Sequence, residues 1–332
     1  MRRLLTGVEV LAFAGGVVFL LFFPRWLSDF RTSQVAYVGI YFIAILGLNI
    51  LTGYTGQISL GHGAFMAIGG YTTAILVGHH GVKDLWTIPL AGLVAGVAGL
   101  VVGIPALRFS GLYLALVTFA IAVALPSGLK KFDHFTGGTQ GINLFGVKGM
   151  TGTLGITVFG HKLTFNEWIY YLTWTVAVVL LAVAWALLRS RPGRTFRAIR
   201  DSEVAATSSG VNLPLNKTLA FGISAFYAGV AGSLFAIATT FVSPETFPII
   251  LSLYLVIGAA VAGLGSLAGL AVGAVFIQYL PDLSQQVSKS PGAPSVIYGV
   301  VLIVVMLILP TGAGGLVKKI GEPLTNWLFR GS

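Results

Sequence analysis

Apolar stretches of membrane-crossing length recur along almost the whole chain, and they limit its fold more than any motif does. A bilayer core about 30 Å thick takes about 20 helical residues to cross, with roughly 17 to 25 tolerated. Residues 7–23, 34–52, 63–78, 86–104, 111–127, 168–188 and 219–242 meet or approach that length, and 249–263, 267–280 and 296–310 are shorter apolar runs. Composition argues against a soluble alternative: 56% of the residues are hydrophobic and 9% are charged, whereas a typical soluble domain is about 25% charged. The expected fold is therefore an all-α integral membrane protein, a polytopic helical bundle of about eight to ten spans. It forms one transmembrane domain over residues 1–332, with broken or re-entrant helices and an inverted repeat as further expectations.

Basic residues set the orientation of that bundle. Cytoplasmic loops retain Lys and Arg, and residues 189–217 carry Arg189, Arg191, Arg194, Arg197, Arg200 and Lys217 against only Asp201 and Glu203. That segment is expected in the cytoplasm. Six apolar stretches precede it, which puts Arg2 and Arg3 on the same side; four further crossings would bring Lys318 and Lys319 there too. The alternative for the short runs is a re-entrant pair around 263–267. Arg2, Arg3 and the following apolar run resemble a signal peptide, yet the run continues into Phe22, Phe23, Pro24, Arg25 and Trp26 without a small-residue cleavage site, so it is read as a retained first span. The net charge of +10 follows from this topology and needs no nucleic acid, because the basic residues flank apolar runs.

The loop 128–167 then lies outside. At about 40 residues it exceeds an ordinary connection, and its part from Thr151 to Leu163 alternates as a small hairpin does.

Chemistry within the chain is scarce. There is no cysteine, which excludes a disulfide framework, a thiolate metal site and a Cys nucleophile. No carboxylate pair, His-rich metal spacing or Ser-His-Asp set falls in one segment, and no phosphate-binding G-x-x-x-x-G-K-[ST] loop occurs. No catalytic residue, metal ligand or bound cofactor is expected. Ion-driven carriers commonly need buried acidic groups; here Asp84, Asp133, Glu167, Glu245 and Asp282 map to span boundaries or outer loops. Energy for any transport is expected from elsewhere.

Two segments break the apolar pattern. The first runs from Asn49 through Thr52, Gly53, Thr55, Gly56, Gln57, Ser59, Gly61 and His62 to Gly63. It reads either as a surface turn between spans or as a broken helix lining a pathway, since irregular backbone at membrane depth survives only where protein or water covers it. In the second reading Asn49, Gln57, Ser59 and His62 are pathway candidates; His62 alone, without partner ligands, reads as a hydrogen-bonded packing residue. Gly56, Ser59, Leu60 and Ala64 recur in spacing as Gly263, Ser266, Leu267 and Ala271, a faint internal echo of the kind repeat-built transporters show. The second segment is the basic loop. Phe196, Ile199 and Ala206 follow helical spacing, Gly210 suits a left-handed cap, and Pro214 prevents simple continuation. It is either an amphipathic helix on anionic lipid or a docking helix for a partner.

At these residues the sequence resembles the permeases of ATP-driven importers for branched-chain amino acids, of the LivM type. Residues 48–76, LNILTGYTGQISLGHGAFMAIGGYTTAIL, are similar to the family's signature, and residues 193–236 to its coupling region. FTGGTQGI at 135–142, SPETF at 243–247 and GLGSLAG at 263–269 extend the likeness over nearly the whole chain. The resemblance implies a non-enzymatic transport subunit in the bacterial inner membrane, with both termini cytoplasmic. Its implied partners are a LivH-type sister permease, a periplasmic binding protein and two cytoplasmic ATPases that use the ATP. It further implies a coupling pattern E-A-A-x-x-x-G, which Glu203, Ala205, Ala206 and Gly210 fit with Val204 inserted. Arg197 and Arg200 would then pair with acidic groups on the ATPase. The implied solute is leucine, isoleucine or valine; importers for urea, short amides or other amino acids are the alternative, and a stand-alone channel or carrier is a more distant one.

Overall fold

The computed structural model describes residues 24, 28–106, 111–151, 157–158, 161–287, 293–308 and 312–315. The expected span 7–23 lies outside the described residues, as do Lys318 and Lys319. Each of the other nine apolar stretches coincides with a helix. These are α1 (Asp29–Leu48), α2 (His62–Gly78), α3 (Asp84–Ala106), α4 (Leu112–Lys131), α5 (Phe165–Arg189), α8 (Leu213–Thr239), α9 (Ile249–Ala262), α10 (Leu270–Val287) and α11 (Ala293–Ile308). Two short helices, α6 (Arg191–Asp201) and α7 (Glu203–Ser208), fill the basic loop. Among the described residues, six segments are long and apolar enough to cross a membrane: Asp29–Tyr54, Asp84–Ile104, Tyr113–Lys131, Phe165–Arg189, Leu213–Thr239 and Pro244–Ala262. The protein is an all-α polytopic membrane protein.

The bundle is built around α8 and α1. The apolar window of α8 is 83% buried and that of α1 78%, against 22% for α4 and 28% for α5, so the former are surrounded by protein and the latter face outward along most of their length. Lipid supplies no hydrophobic drive between helices, and close backbone approach supplies dispersion contact instead. Glycine permits that approach where α8 crosses α2: a Cβ on Gly232 would run into the Met66 backbone, and one on Gly69 into that of Gly229. Thr73 and Ser233 bond across the same contact, hydroxyl to hydroxyl, at 2.6 Å. The charged ends are capped locally. Thr164 and Glu167 form a capping box at the start of α5, and the Asn212 side chain accepts from Leu215 N–H at the start of α8.

One end of the bundle is closed by the long loop. Strand β1 (Ile142–Asn143) pairs antiparallel with β4 (Phe241–Val242), Ile142 opposite Val242, which ties the loop to the end of α8. The expected hairpin is present as β2 (Thr157–Val158) against β3 (His161–Lys162). Buried Asp84 accepts from the Thr151 backbone N–H at 2.9 Å and also from its hydroxyl. The opposite end holds α6 and α7. Residues 263–269 lie there, and so do Gly312 and Gly314, packed against Gly263 and Ser266. Helix α9 therefore runs toward this end and α10 back from it, the two packed antiparallel with Gly258 against Ile277 and Gly273.

Candidate functional site

Helix α1 does not end at Leu48. It widens into a π-type turn, Asn49–Tyr54, a form often found at functional positions, and the chain then leaves helix until His62. Between Thr55 and Ser59 burial alternates: Thr55, Gln57 and Ser59 are buried while Gly56 and Ile58 are exposed. This is an extended segment with two faces. Its polar groups are satisfied by neighbours, with Thr52 Oγ1 donating to Gln57 O (3.0 Å), Gln57 Nε2 to Thr55 Oγ1 (3.1 Å), and Leu60 N–H to Thr118 Oγ1 on α4 (2.9 Å). At its far end the buried His62 ring donates through Nε2 to Ala44 O at 3.0 Å, and Gly63 N–H donates to Ser252 Oγ of α9. Ala44 precedes Tyr54 by ten residues, about 15 Å of helix rise, so the segment climbs back alongside α1 and is no surface turn. Thr118 and Ser252, which hold it, carry no local sequence signal.

The basic loop folds as two helices with an inward face. Phe196, Ile199 and Ala206, the residues at helical spacing, are all buried. Ser202 caps α7 by accepting from Ala205 N–H, and Gly210, at φ +81°, turns the chain toward α8. Ala206 packs inward while Ala205 and Val204 are exposed, Val204 by 78%. Several of the charges are used within the chain. Glu203 pairs with Lys217 at the start of α8, 2.7 Å apart. Arg197 donates to the backbone carbonyls of Gly193 and Leu188, at 3.2 and 2.8 Å.

Arg200 reaches furthest. Its Nη1 donates to the carbonyl of Gly53, 2.5 Å away in the π-type turn, and lies so near Gly265 that a Cβ there would strike it. Asn49, fully buried, completes the junction: Oδ1 accepts from Gly265 N–H at 2.8 Å and Nδ2 donates to Ser266 O at 2.7 Å. The π-type turn after α1 and the turn after α9 thus meet, backbone against backbone at Gly53 and Gly265, with Arg200 of α6 beside both. Asn49, Gln57, Ser59 and His62 are not one cluster: Asn49 belongs to this junction, and His62 sits at the other end of the extended segment.

Toward the opposite end, α2, α4 and residues 244–252 border a narrow cleft. Gly63, Ala67, Pro126, Phe247 and Ser252 are among its lining residues, so its wall is mostly apolar and begins where the extended segment ends.

A family model described as the permease component of the branched-chain amino acid transport system matches residues 31–309. The high-affinity branched-chain amino acid transport system permease protein LivM of Salmonella typhimurium is 34% identical over 89% of this chain and 72% of its own length. Its counterpart LivH of Escherichia coli is 24% identical over 83% of this chain and 91% of its own. The autoinducer 2 import system permease protein LsrC of Klebsiella pneumoniae matches only 32% of each chain, at 34% identity. No solved structure matches significantly. Through the family match across residues 31–309 and the relatives that align over most of its length, the chain belongs to the branched-chain amino acid transport system permease components.

Proposed function

We infer that the chain is one of two permease subunits of an ATP-driven importer in the bacterial inner membrane, lining half of a passage for leucine, isoleucine or valine. A periplasmic binding protein delivers the solute, two cytoplasmic ATPases bind and hydrolyse the ATP, and this chain holds no cofactor of its own. The LivM and LivH relatives are named for this solute class. The observation that carries the reading is the pairing of a buried, interrupted span at 49–62 with a two-helix element, α6 and α7, fastened to it. Broken spans inside a bundle serve solute passage, and a helix pair presenting exposed Val204 and Ala205 beside short hydroxyl side chains offers a neutral, small-residue surface for close seating of a partner.

In this reading α6 and α7 face the cytoplasm and both termini lie on that side. Ala206 packs the docking element inward, Arg197 and Glu203 brace it through bonds within the chain, Gly210 turns the chain out of it, and Ala205 contributes to its outer surface; Arg200 fastens the element to the π-type turn and takes no part in the docking face. Gln57 and Ser59, with Asn49 and His62 at either end, form the interrupted wall of the pathway.

Purification of the chain from its native membrane in mild detergent, followed by mass spectrometry of what stays bound, tests the assembly. Two ATPase chains and a second permease are the expected companions. A chain that remains alone under several mild conditions would bring a stand-alone channel or carrier to the front.

A further inference from the structure

We propose that Arg200 is the positioning residue through which movement of the α6–α7 element reaches both interrupted segments at once. The proposal rests on the importer reading above. A single guanidinium holds the Gly53 carbonyl and packs against Gly265. The same arginine's stem lies under Gly56, where a Cβ would come 3.5 Å from Cγ and 3.6 Å from Cα of Arg200. Gly53 and Gly265 are themselves in backbone contact, and Asn49 bonds one segment to the other. One side chain of α6 therefore bears on the interruption after α1 and on the one between α9 and α10.

The chemistry suits transmission. Unwound carbonyls in transporter helices commonly coordinate cations; here the cation is the Arg200 guanidinium, so the bond to Gly53 O moves with α6. Gly56 at φ +72° and Gly265 at φ +79° hold backbone conformations that L side chains rarely adopt, which lets both segments close on the arginine. Arg197, by contrast, donates to Gly193 and Leu188 in or next to its own helix and links nothing distant. Displacement of α6 without Arg200 would leave the two segments behind.

The test uses the complete assembly in proteoliposomes, measuring labelled leucine taken up per ATP hydrolysed for the wild type, Arg200→Ala and Arg200→Lys. Arg200→Ala is expected to assemble and to hydrolyse ATP within about twofold of the wild type while uptake per ATP falls about tenfold, inside the roughly 5- to 150-fold range of measured coupling. Arg200→Lys, whose ammonium can reach Gly53 O but lacks the fork that packs on Gly265, is expected to recover part of the ratio. A merely structural arginine would lower assembly, hydrolysis and uptake together and leave the ratio unchanged; that result, or a normal ratio in Arg200→Ala, overturns the proposal. If Arg200→Ala does not assemble, the ratio in Arg200→Lys decides: an intermediate value supports transmission and a wild-type value overturns it. Wild-type assemblies that hydrolyse ATP and move no amino acid would instead overturn the importer reading.

Discussion

Replacement of Asn49 by alanine isolates the junction on which the two interrupted segments depend. The wild-type side chain is fully buried and makes two hydrogen bonds, accepting from Gly265 N–H at 2.8 Å and donating to Ser266 O at 2.7 Å. Asn49→Ala deletes both and leaves the two backbone groups without partners. A buried group stranded in this way costs about 1–3 kcal/mol. Gly265 and Ser266 are only half-buried, so water recovers part of each, and the low end applies: about 2 kcal/mol for the pair. That corresponds to roughly a 30-fold change in the folded-to-unfolded ratio. Reversible unfolding of the purified chain in mixed detergent micelles measures it directly, and the same variant should show faster proteolysis at residues 263–269 under native conditions. A stability within about 0.5 kcal/mol of the wild type, the range of inconsequential surface changes, would mean that the segments are held together without Asn49.

Four further substitutions test separate parts of the structure. Ser59→Leu puts a branched apolar group into a fully buried position of the extended segment; uptake should fall while ATPase binding stays intact, and unchanged transport would remove the segment from the pathway. Glu203→Arg replaces the partner of Lys217, 2.7 Å away, with a like charge; the chain should still insert, but ATP hydrolysis and uptake should uncouple, and normal coupled uptake would deny α7 its docking role. Gly210→Val meets no neighbouring atom but must adopt φ +81°, a strain of about 1–2 kcal/mol, so the turn between α7 and α8 should loosen, which amide hydrogen exchange across 209–212 would register. Gly232→Val drives a side chain into the Met66 backbone; overpacking of about 1–3 kcal/mol or more should lower the yield of folded protein, and a wild-type yield would contradict the close α2–α8 crossing.

Much of this architecture is legible in the sequence because membrane spans are written locally. Length and apolarity suffice for nine of the helices, and the spacing of Phe196, Ile199 and Ala206 marks the inward face of the basic loop for the same reason: helical period is a short-range property. The hairpin within 151–163 follows from alternation. What joins distant parts is not written that way. Arg200 and Gly53 are 147 positions apart, and an arginine that bonds a carbonyl looks in sequence like one that pairs with a partner's carboxylate. The glycine-rich stretch after Asn49 is equally compatible with a surface turn until Thr118 and Ser252 are seen to hold it inside. The echo of Gly56-x-x-Ser59 in Gly263-x-x-Ser266 does not name the junction either, whose contacts are made by Asn49 and Gly53 with Gly265 and Ser266. Strand β1 likewise gives no local sign that it pairs with Phe241–Val242 beyond the end of α8.

Uptake by whole cells shows whether this chain carries branched-chain amino acids inward at the expense of ATP. Cells from which the chain has been removed, and the same cells with it restored, are given labelled leucine, isoleucine, valine and urea with and without depletion of ATP. Restoration should return saturable, ATP-dependent accumulation of the three amino acids and leave urea entry unchanged. Recovery of urea uptake instead, or amino-acid accumulation that persists after ATP is depleted, would contradict the account.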